Sequence, residues 1–355
     1  MAVPNAYTDC PKIQEKLNGQ FTEFNPTLVQ DALGYLSFLM SPLNTSGMLQ
    51  RQIDSGSGKI RKVELTYQPR FLDSEVTDSS IQSCAGGAEQ GDLVEEYTID
   101  PTDGKSVQWT ITNANLVERC EGNDGWFEMQ ILKHMEQIMR SMDKDLLANA
   151  ALNFGKFSTT SFDHETGSTS TWAGQNVNPG QVRTRKTNGD HDPRFLTQIK
   201  SEFRAMNANG TPVIIGDNLI DAFITELDAA CCATSGLNLA ELASIKPVIY
   251  MRDENVEAAL GVAEFIGMVP GAVQLLTFNE FRGEKNQLND DTYVQGTLVH
   301  PISGIMFDYL TKFDCGVWTN QLKLAFKPVY LPGSLFQATD KLDGVNWLNN
   351  FKVVN

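Results

Sequence analysis

The sequence predicts an α+β protein: a long helix lying across a β-sheet, followed by an α/β module and preceded by a β excursion and an extended amino-terminal arm. Three observations lead there. One apolar stripe of helical period runs from about Asp124 to Ala151. Segments of polar–apolar alternation stand before and after it. Between 193 and 290, short apolar runs alternate with helical patterns, as α/β units do. The chain of 355 residues, 41% of them hydrophobic, is long enough for two or three packed modules and too apolar for a disordered polymer.

Taken in order, residues 27–40 place Leu28, Val29, Ala32, Leu33, Leu36 and Leu39 at spacings of one, three and four, which predicts a short amphipathic helix. Pro4, Pro11, Pro26 and Pro42 around it mark the first 54 residues as an arm, which would seat on another element or another subunit. Ile60–Tyr67 alternates from Lys62 onward, and Leu93–Ile99 and Ser106–Thr112 do the same. The last two flank Asp100-Pro101-Thr102-Asp103-Gly104, whose Asp-Gly is a turn signal. A hairpin is therefore expected there, inside an antiparallel excursion over roughly 55–118 that follows the spacer Ser55-Gly56-Ser57-Gly58 and projects from the body.

In the long helix, Phe127, Ile131, Met135, Ile138, Met142 and Leu146 recur at three and four residues, Asn123 and Asp124 supply a start signal, and Gly155 follows the end. At 1.5 Å per residue it spans about 40 Å. Its stripe lasts barely three heptads and carries Met at several seats, which favours a helix on a sheet over a coiled coil. Residues 155–192 are Ser/Thr/Gly-rich, with a basic knot at Arg183, Arg185 and Lys186, and read as an exposed insertion loop. Beyond 193 the patterns indicate a helix at Arg194–Met206, a buried strand at Thr211–Ile215 and a helix from Asp217 to Ala230. Apolar runs follow at Pro247–Met251 and Ala272–Phe278, then strands at Asp291–His300, Gly304–Leu310 and Leu322–Val329. The last 25 residues are loop-like with a weak strand at Asn350–Val354, and no internal repeat is evident.

The chain carries 44 Asp and Glu against 28 Lys and Arg, a net charge of −16. Ten of those sixteen charges fall in 190–310, where 17 acids face 7 bases. Such a surface repels phosphate and excludes general nucleic-acid coating. The Met1-Ala2-Val3-Pro4-Asn5 start shows no secretory signal, and no apolar run approaches the roughly 20 residues of a membrane helix, so a soluble chain of cytosolic origin is expected. Cys10, Cys84, Cys120, Cys231, Cys232 and Cys315 are scattered without a CxxC spacing, which argues against a disulfide scaffold or a zinc site. Cys231-Cys232 reads as two small buried residues in an apolar helical stretch.

Chemistry-bearing motifs are scarce. The histidines are His134, His164, His191 and His300. Asp190-His191-Asp192 could hold a divalent ion, but it stands just ahead of Pro193 at a helix start, where Asp suits the helix dipole, and a solvated turn is the favoured reading. Gly56-Ser57-Gly58-Lys59 fails as a phosphate loop: Ile53 stands where its first Gly belongs, Ile60 where Ser or Thr belongs, and a strand follows where a helix must. No Gly-x-Ser-x-Gly or His-Glu-x-x-His occurs. Glu95-Glu96 and Asp290-Asp291 are adjacent, which on a strand puts the two carboxylates on opposite faces. Asp100, Asp103 and Gly104 lack the closing Glu of a calcium loop. No catalytic, cofactor-binding or metal-ligating residue is assigned, and no enzyme is expected.

The order of parts resembles the major capsid proteins of tailed double-stranded DNA bacteriophages, as do Val269-Pro270-Gly271-Ala272-Val273-Gln274-Leu275-Leu276-Thr277-Phe278-Asn279-Glu280-Phe281 and Gly296-Thr297-Leu298-Val299-His300-Pro301-Ile302-Ser303-Gly304-Ile305, where two strands would meet at a turn. The resemblance implies an N-terminal arm at 1–54, an E-loop at 55–118, a P-domain at 119–160 with 291–355 and its spine helix at 124–151, an insertion at 161–189, and an A-domain at 190–290. It implies a self-assembling homo-oligomer of pentamers and hexamers in an icosahedral virion shell, assembled in the host cytoplasm and enclosing genomic DNA without reading its sequence. Portal and decoration proteins would be further partners. No charged helical pro-segment is evident, so scaffolding would come from a separate protein. A nanocompartment shell of the same fold, a phage tail protein and a metal-dependent α/β enzyme built around Asp190, His191 and Asp192 are the alternatives.

Overall fold

The computed structural model describes residues 33–44, 49–53, 61–67, 93–100, 102–112, 126–155, 160–163, 168–171, 180–182, 196, 199–200, 203, 211–230, 248–281, 293–330 and 347–353. They form an α+β architecture. Helix α1 (Gly34–Met40) precedes strands β1 (Leu49–Ile53), β2 (Arg61–Tyr67), β3 (Leu93–Ile99) and β4 (Gly104–Thr112). Helix α2 (Trp126–Leu152) follows, 27 residues long, with Phe127, Ile131, Met135, Ile138, Met142 and Leu146 buried as the periodicity requires. It packs on β4 and on β14 (Val317–Tyr330), so the helix does lie against a sheet.

That sheet has the order β11 (Val273–Phe278), β14, β13 (Met306–Asp314), β12 (Tyr293–Val299), with β4 also on β14. Strand β14 is its hub. Its first half lies between β13 and β4, and its last six residues pair with β11. The β13–β14 hairpin closes through Cys315 and Gly316, whose φ values of 47° and 82° are those of a tight mirror-image turn. A second five-stranded sheet has the order β7 (Gly180–Val182), β15 (Leu348–Val353), β10 (Glu264–Met268), β8 (Val213–Gly216), β9 (Ile249–Arg252). Helix α3 (Asn218–Ala230) links the parallel pair β8 and β9, the expected α/β unit, and α4 (Val256–Leu260) leads into β10. The main apolar core joins α1, α2 and faces of both sheets, while Ile199, Phe203, Ile214, Phe223, Phe265 and Phe351 form a second core.

Two expectations are corrected. Strands β3 and β4 do not pair across the Asp100–Gly104 turn: β3 joins β2 and β1 in a separate three-stranded sheet, while β4 pairs with β14 along its whole length. The turn itself forms, with the Asp103 N–H on the Asp100 carbonyl at 2.8 Å and the Asp100 carboxylate accepting from the Thr102 N–H at 2.8 Å. The chain then diverts because Gly104 lies hard against β14, where a Cβ would stand 2.2 Å from the Leu324 carbonyl oxygen. Further on, the stretch expected to be an irregular loop carries strands β5 (Thr160–Asp163), β6 (Ser168–Thr171) and β7, the last added in parallel to β15. Threonines at alternate positions in β6 suit a strand, a bias that the Ser/Thr-rich composition concealed.

Candidate functional site

The most unusual chemistry among the described residues lies where the amino-terminal segment meets the body. Helix α1 buries Tyr35, Leu36, Phe38 and Leu39 in the main core, worth about 1.5–3 kcal/mol for each large side chain. Its start has no side-chain cap of its own. Its first amides are taken instead by two buried aspartates from distant elements. Asp253, after β9, accepts the Tyr35 N–H at 2.8 Å, and Asp143, on α2, accepts the Leu36 N–H at 3.2 Å. Asn255 ties the two together: its side-chain amide donates to Asp143 at 2.9 Å and its backbone N–H to Asp253 at 2.9 Å. Leu33 also forms an isolated antiparallel bridge with Asp253. This approach needs Gly34, where an added Cβ would stand 2.4 Å from the Arg252 carbonyl oxygen.

Asn255 and the start of α1 thus bring the carboxyl groups of Asp143 and Asp253 close together. Burial, then the Asp253 carboxylate, push Asp143 up to about 8. Burial lifts Asp253 to about 6, opposed by its bonds from the Tyr35 and Asn255 amides. Both acids are thus pushed towards the protonated form, and they titrate as a pair.

Beside this junction opens a cleft of about 740 Å3, lined in part by Leu36, Met40, Pro42, Met139, Tyr250, Arg252, His300 and Ser303. His300 follows β12 at a strand end, as expected, and organises the turn from Pro301 to Gly304. Its Nδ1 faces the Ser303 N–H at 3.2 Å and the Ser303 hydroxyl at 3.1 Å, and its backbone closes the turn with Gly304 and Ile305. Burial presses its pKa down to about 4, so the ring is neutral and serves the turn. His134 is half-exposed beside Trp109, with ring centroids 4.3 Å apart. Glu95 takes the Tyr97 hydroxyl within β3, while Glu96 is exposed on the other face. Asp190-His191-Asp192, Gly56–Lys59, Asp290-Asp291, Cys231-Cys232 and His164 lie outside the described residues. Among the described residues no group of three His, Cys, Asp or Glu is placed to hold a metal ion, and no helix is long and apolar enough to cross a membrane.

Sequence reasoning passed over Asp143, Asp253 and Asn255. The signal for Asp143 was present: it stands four residues after Met139 and four before Leu147, a carboxylate on the apolar stripe of α2. Nothing local marks Asp253 or Asn255.

No family model matches the chain, and no curated protein matches it. Solved structures do. The cyanophage A-1(L) capsid asymmetric unit is similar at 10% identity and TM-score 0.45, covering 93% of this chain and 94% of that one. The capsid of Myoviridae phage XM1 is similar at 9% identity and TM-score 0.39, covering 91% and 92%. A phage-related protein from Bordetella bronchiseptica is similar at 8% identity and TM-score 0.37, covering 96% and 95%.

Proposed function

We propose that this chain is a structural, non-enzymatic subunit of a closed protein shell of the tailed-phage capsid type, assembling as pentamers and hexamers around double-stranded DNA in the virion. The observation that carries the reading is the three-stranded sheet β1–β3. Among the described residues it shares no strand ladder with the two larger sheets, and it meets the sheet of β11 and β14 through a small apolar cluster of Val63, Leu65, Ile99, Leu276, Phe278, Ala325 and Val329. A sheet packed through one face presents its other face and its edges to neighbours, which is how a subunit reaches beyond its own outline. It precedes α2 and the sheet that α2 lies on, the order of parts that the resemblance rests on. In the proposed assignment β1 ends the N-terminal arm of 1–54, β2, β3 and β4 fall in the E-loop of 55–118, α2 is the spine helix of the P-domain, and β8 to β10 lie in the A-domain. The net charge of −16 suits a wall that surrounds DNA without gripping it. A separate scaffolding protein, a portal and decoration proteins are the proposed partners, with assembly in the host cytoplasm.

Negative-stain electron microscopy of the purified chain, alone and co-expressed with its scaffolding protein, tests the reading. Closed shells or rings of five and six chains are expected. Open stacked rings would mark a tail protein, shells filled with a co-purifying enzyme would mark a nanocompartment, and a chain that stays monomeric under all conditions would remove the shell reading.

A further inference from the structure

We propose that Asp143 and Asp253 form a proton-dependent clasp on α1, in which a proton bound to the pair holds the amino-terminal segment closed and its loss makes that segment open more often. The geometry carries this. Two buried carboxyl groups, from residues 110 positions apart in the chain, accept the Tyr35 and Leu36 amides in the first turn of the same short helix. Asn255 bonds to both and fixes their separation. A pair that has lost its last proton places two like charges near one another away from water, and both desolvation and repulsion oppose that state.

The surroundings supply no relief. From α1 the pair is faced by the Tyr35 side chain, and from β14 by Tyr330, which meets Tyr35; both phenols are raised by burial and stay neutral. On the segment after β9, Glu254 adds a further negative charge. The cations of these elements are engaged elsewhere: Arg140 of α2 pairs with Glu254 at 3.5 Å, Arg252 donates to Asn218 at 3.0 Å, and Lys144 is exposed. Deprotonation does strengthen each amide–carboxylate bond, but the upward shift of both acids shows that burial and repulsion outweigh that gain.

The apolar burial of α1 limits what the switch can do. Tyr35, Leu36, Phe38 and Leu39 remain buried whatever the charge of the pair. The proton therefore changes how often α1 opens, leaving the closed form dominant. This inference does not depend on the shell reading, and it is read on the unassembled chain.

The test is amide hydrogen exchange of residues 35–40 between pH 6 and 9.5, comparing the native chain with Asp143→Asn, which keeps an oxygen for the Leu36 amide and cannot ionise. The ratio of native to variant exchange is expected to rise with pH, by up to about tenfold per unit, as pH climbs towards the Asp143 value of about 8, and to level off above it, because the open form gives up the proton at lower pH than the closed form. Amides in the middle of α2 should show no such step. A ratio that stays constant over the range, or a step of equal size in α2, overturns the clasp. If Asp143→Asn does not fold, Asp253→Asn serves: with no carboxylate opposite, Asp143 should lose its proton at lower pH, and the step in exchange should move down. An unmoved step overturns the proposal equally.

Discussion

The Tyr309 hydroxyl donates to the Asn320 side-chain oxygen at 3.0 Å across the β13–β14 hairpin, and the Thr311 hydroxyl donates to the same oxygen at 2.8 Å. All three residues are buried. One amide oxygen thus satisfies two hydroxyls in the sheet on which α2 rests. Asn320→Ala removes the shared acceptor and is expected to lower stability by about 2–4 kcal/mol, the cost of stranding two buried donors. A urea midpoint unchanged from the native chain would contradict this.

His300 gives the chain an acid limit. The folded state holds this imidazole neutral with a pKa of about 4, below its ordinary value of 6.5. Between those values the unfolded chain binds the extra proton, so this contribution to stability is full above about pH 6.5 and is lost as pH falls towards 4. The loss amounts to about 3 kcal/mol at 1.36 kcal/mol per pH unit. His300→Asn preserves an acceptor for the Ser303 amide and removes the titration. Its melting temperature should therefore fall less than that of the native chain between pH 6.5 and 4.5; parallel curves would refute the assignment.

At Gly34 the test is steric. Alanine there meets the Arg252 carbonyl, which as backbone cannot swing aside. Gly34→Ala is expected to cost about 2–3 kcal/mol and to speed exchange of the α1 amides at every pH. It should leave any pH step in place, because both carboxyl groups survive. Wild-type stability in thermal unfolding would show that the approach of α1 to β9 is looser than the geometry requires.

Val94 on β3 is a large apolar side chain left 49% exposed on the small sheet. Val94→Glu should change stability by no more than about 0.5 kcal/mol, as surface substitutions do. In a shell-forming chain it should also reduce the yield of closed particles, since the charge would have to be buried against a neighbour. Normal particle yield would place that face of the sheet outside any contact between subunits.

Legibility in the sequence followed the range of the interactions. The helix α2 could be read because its buried side chains repeat every three or four residues within one element. Strands β2, β3, β8 and β11 could be read for the same reason, and the Pro301–Gly304 turn from its own residues. Partner choice could not. The Asp-Gly turn suggested that β3 pairs with β4, yet the decision lies with β14, whose residues from Val317 to Ala325 offer β4 a nine-residue ladder. The same limit hid the carboxyl pair: Asp143 stands on the apolar stripe of α2, but its partner Asn255 lies 112 positions away and nothing local marks it. Helix α4 and strand β10 were missed because each is only five residues long, too short for either period to declare itself.

The placement of β14 has a consequence for synthesis. Its three partners, β4, β11 and β13, all precede it, and β4 has none of its pairing until residues beyond Val317 leave the ribosome. The face of α2 that packs on β14 waits with it, although α1, β4 and α4 cover other parts of its stripe. Folding of the main body thus waits until β14 has been made, and its long-range pairings make it slow. During that interval the α2 face that awaits β14 is a surface by which neighbouring nascent chains would aggregate, and one that a holding chaperone would need to cover.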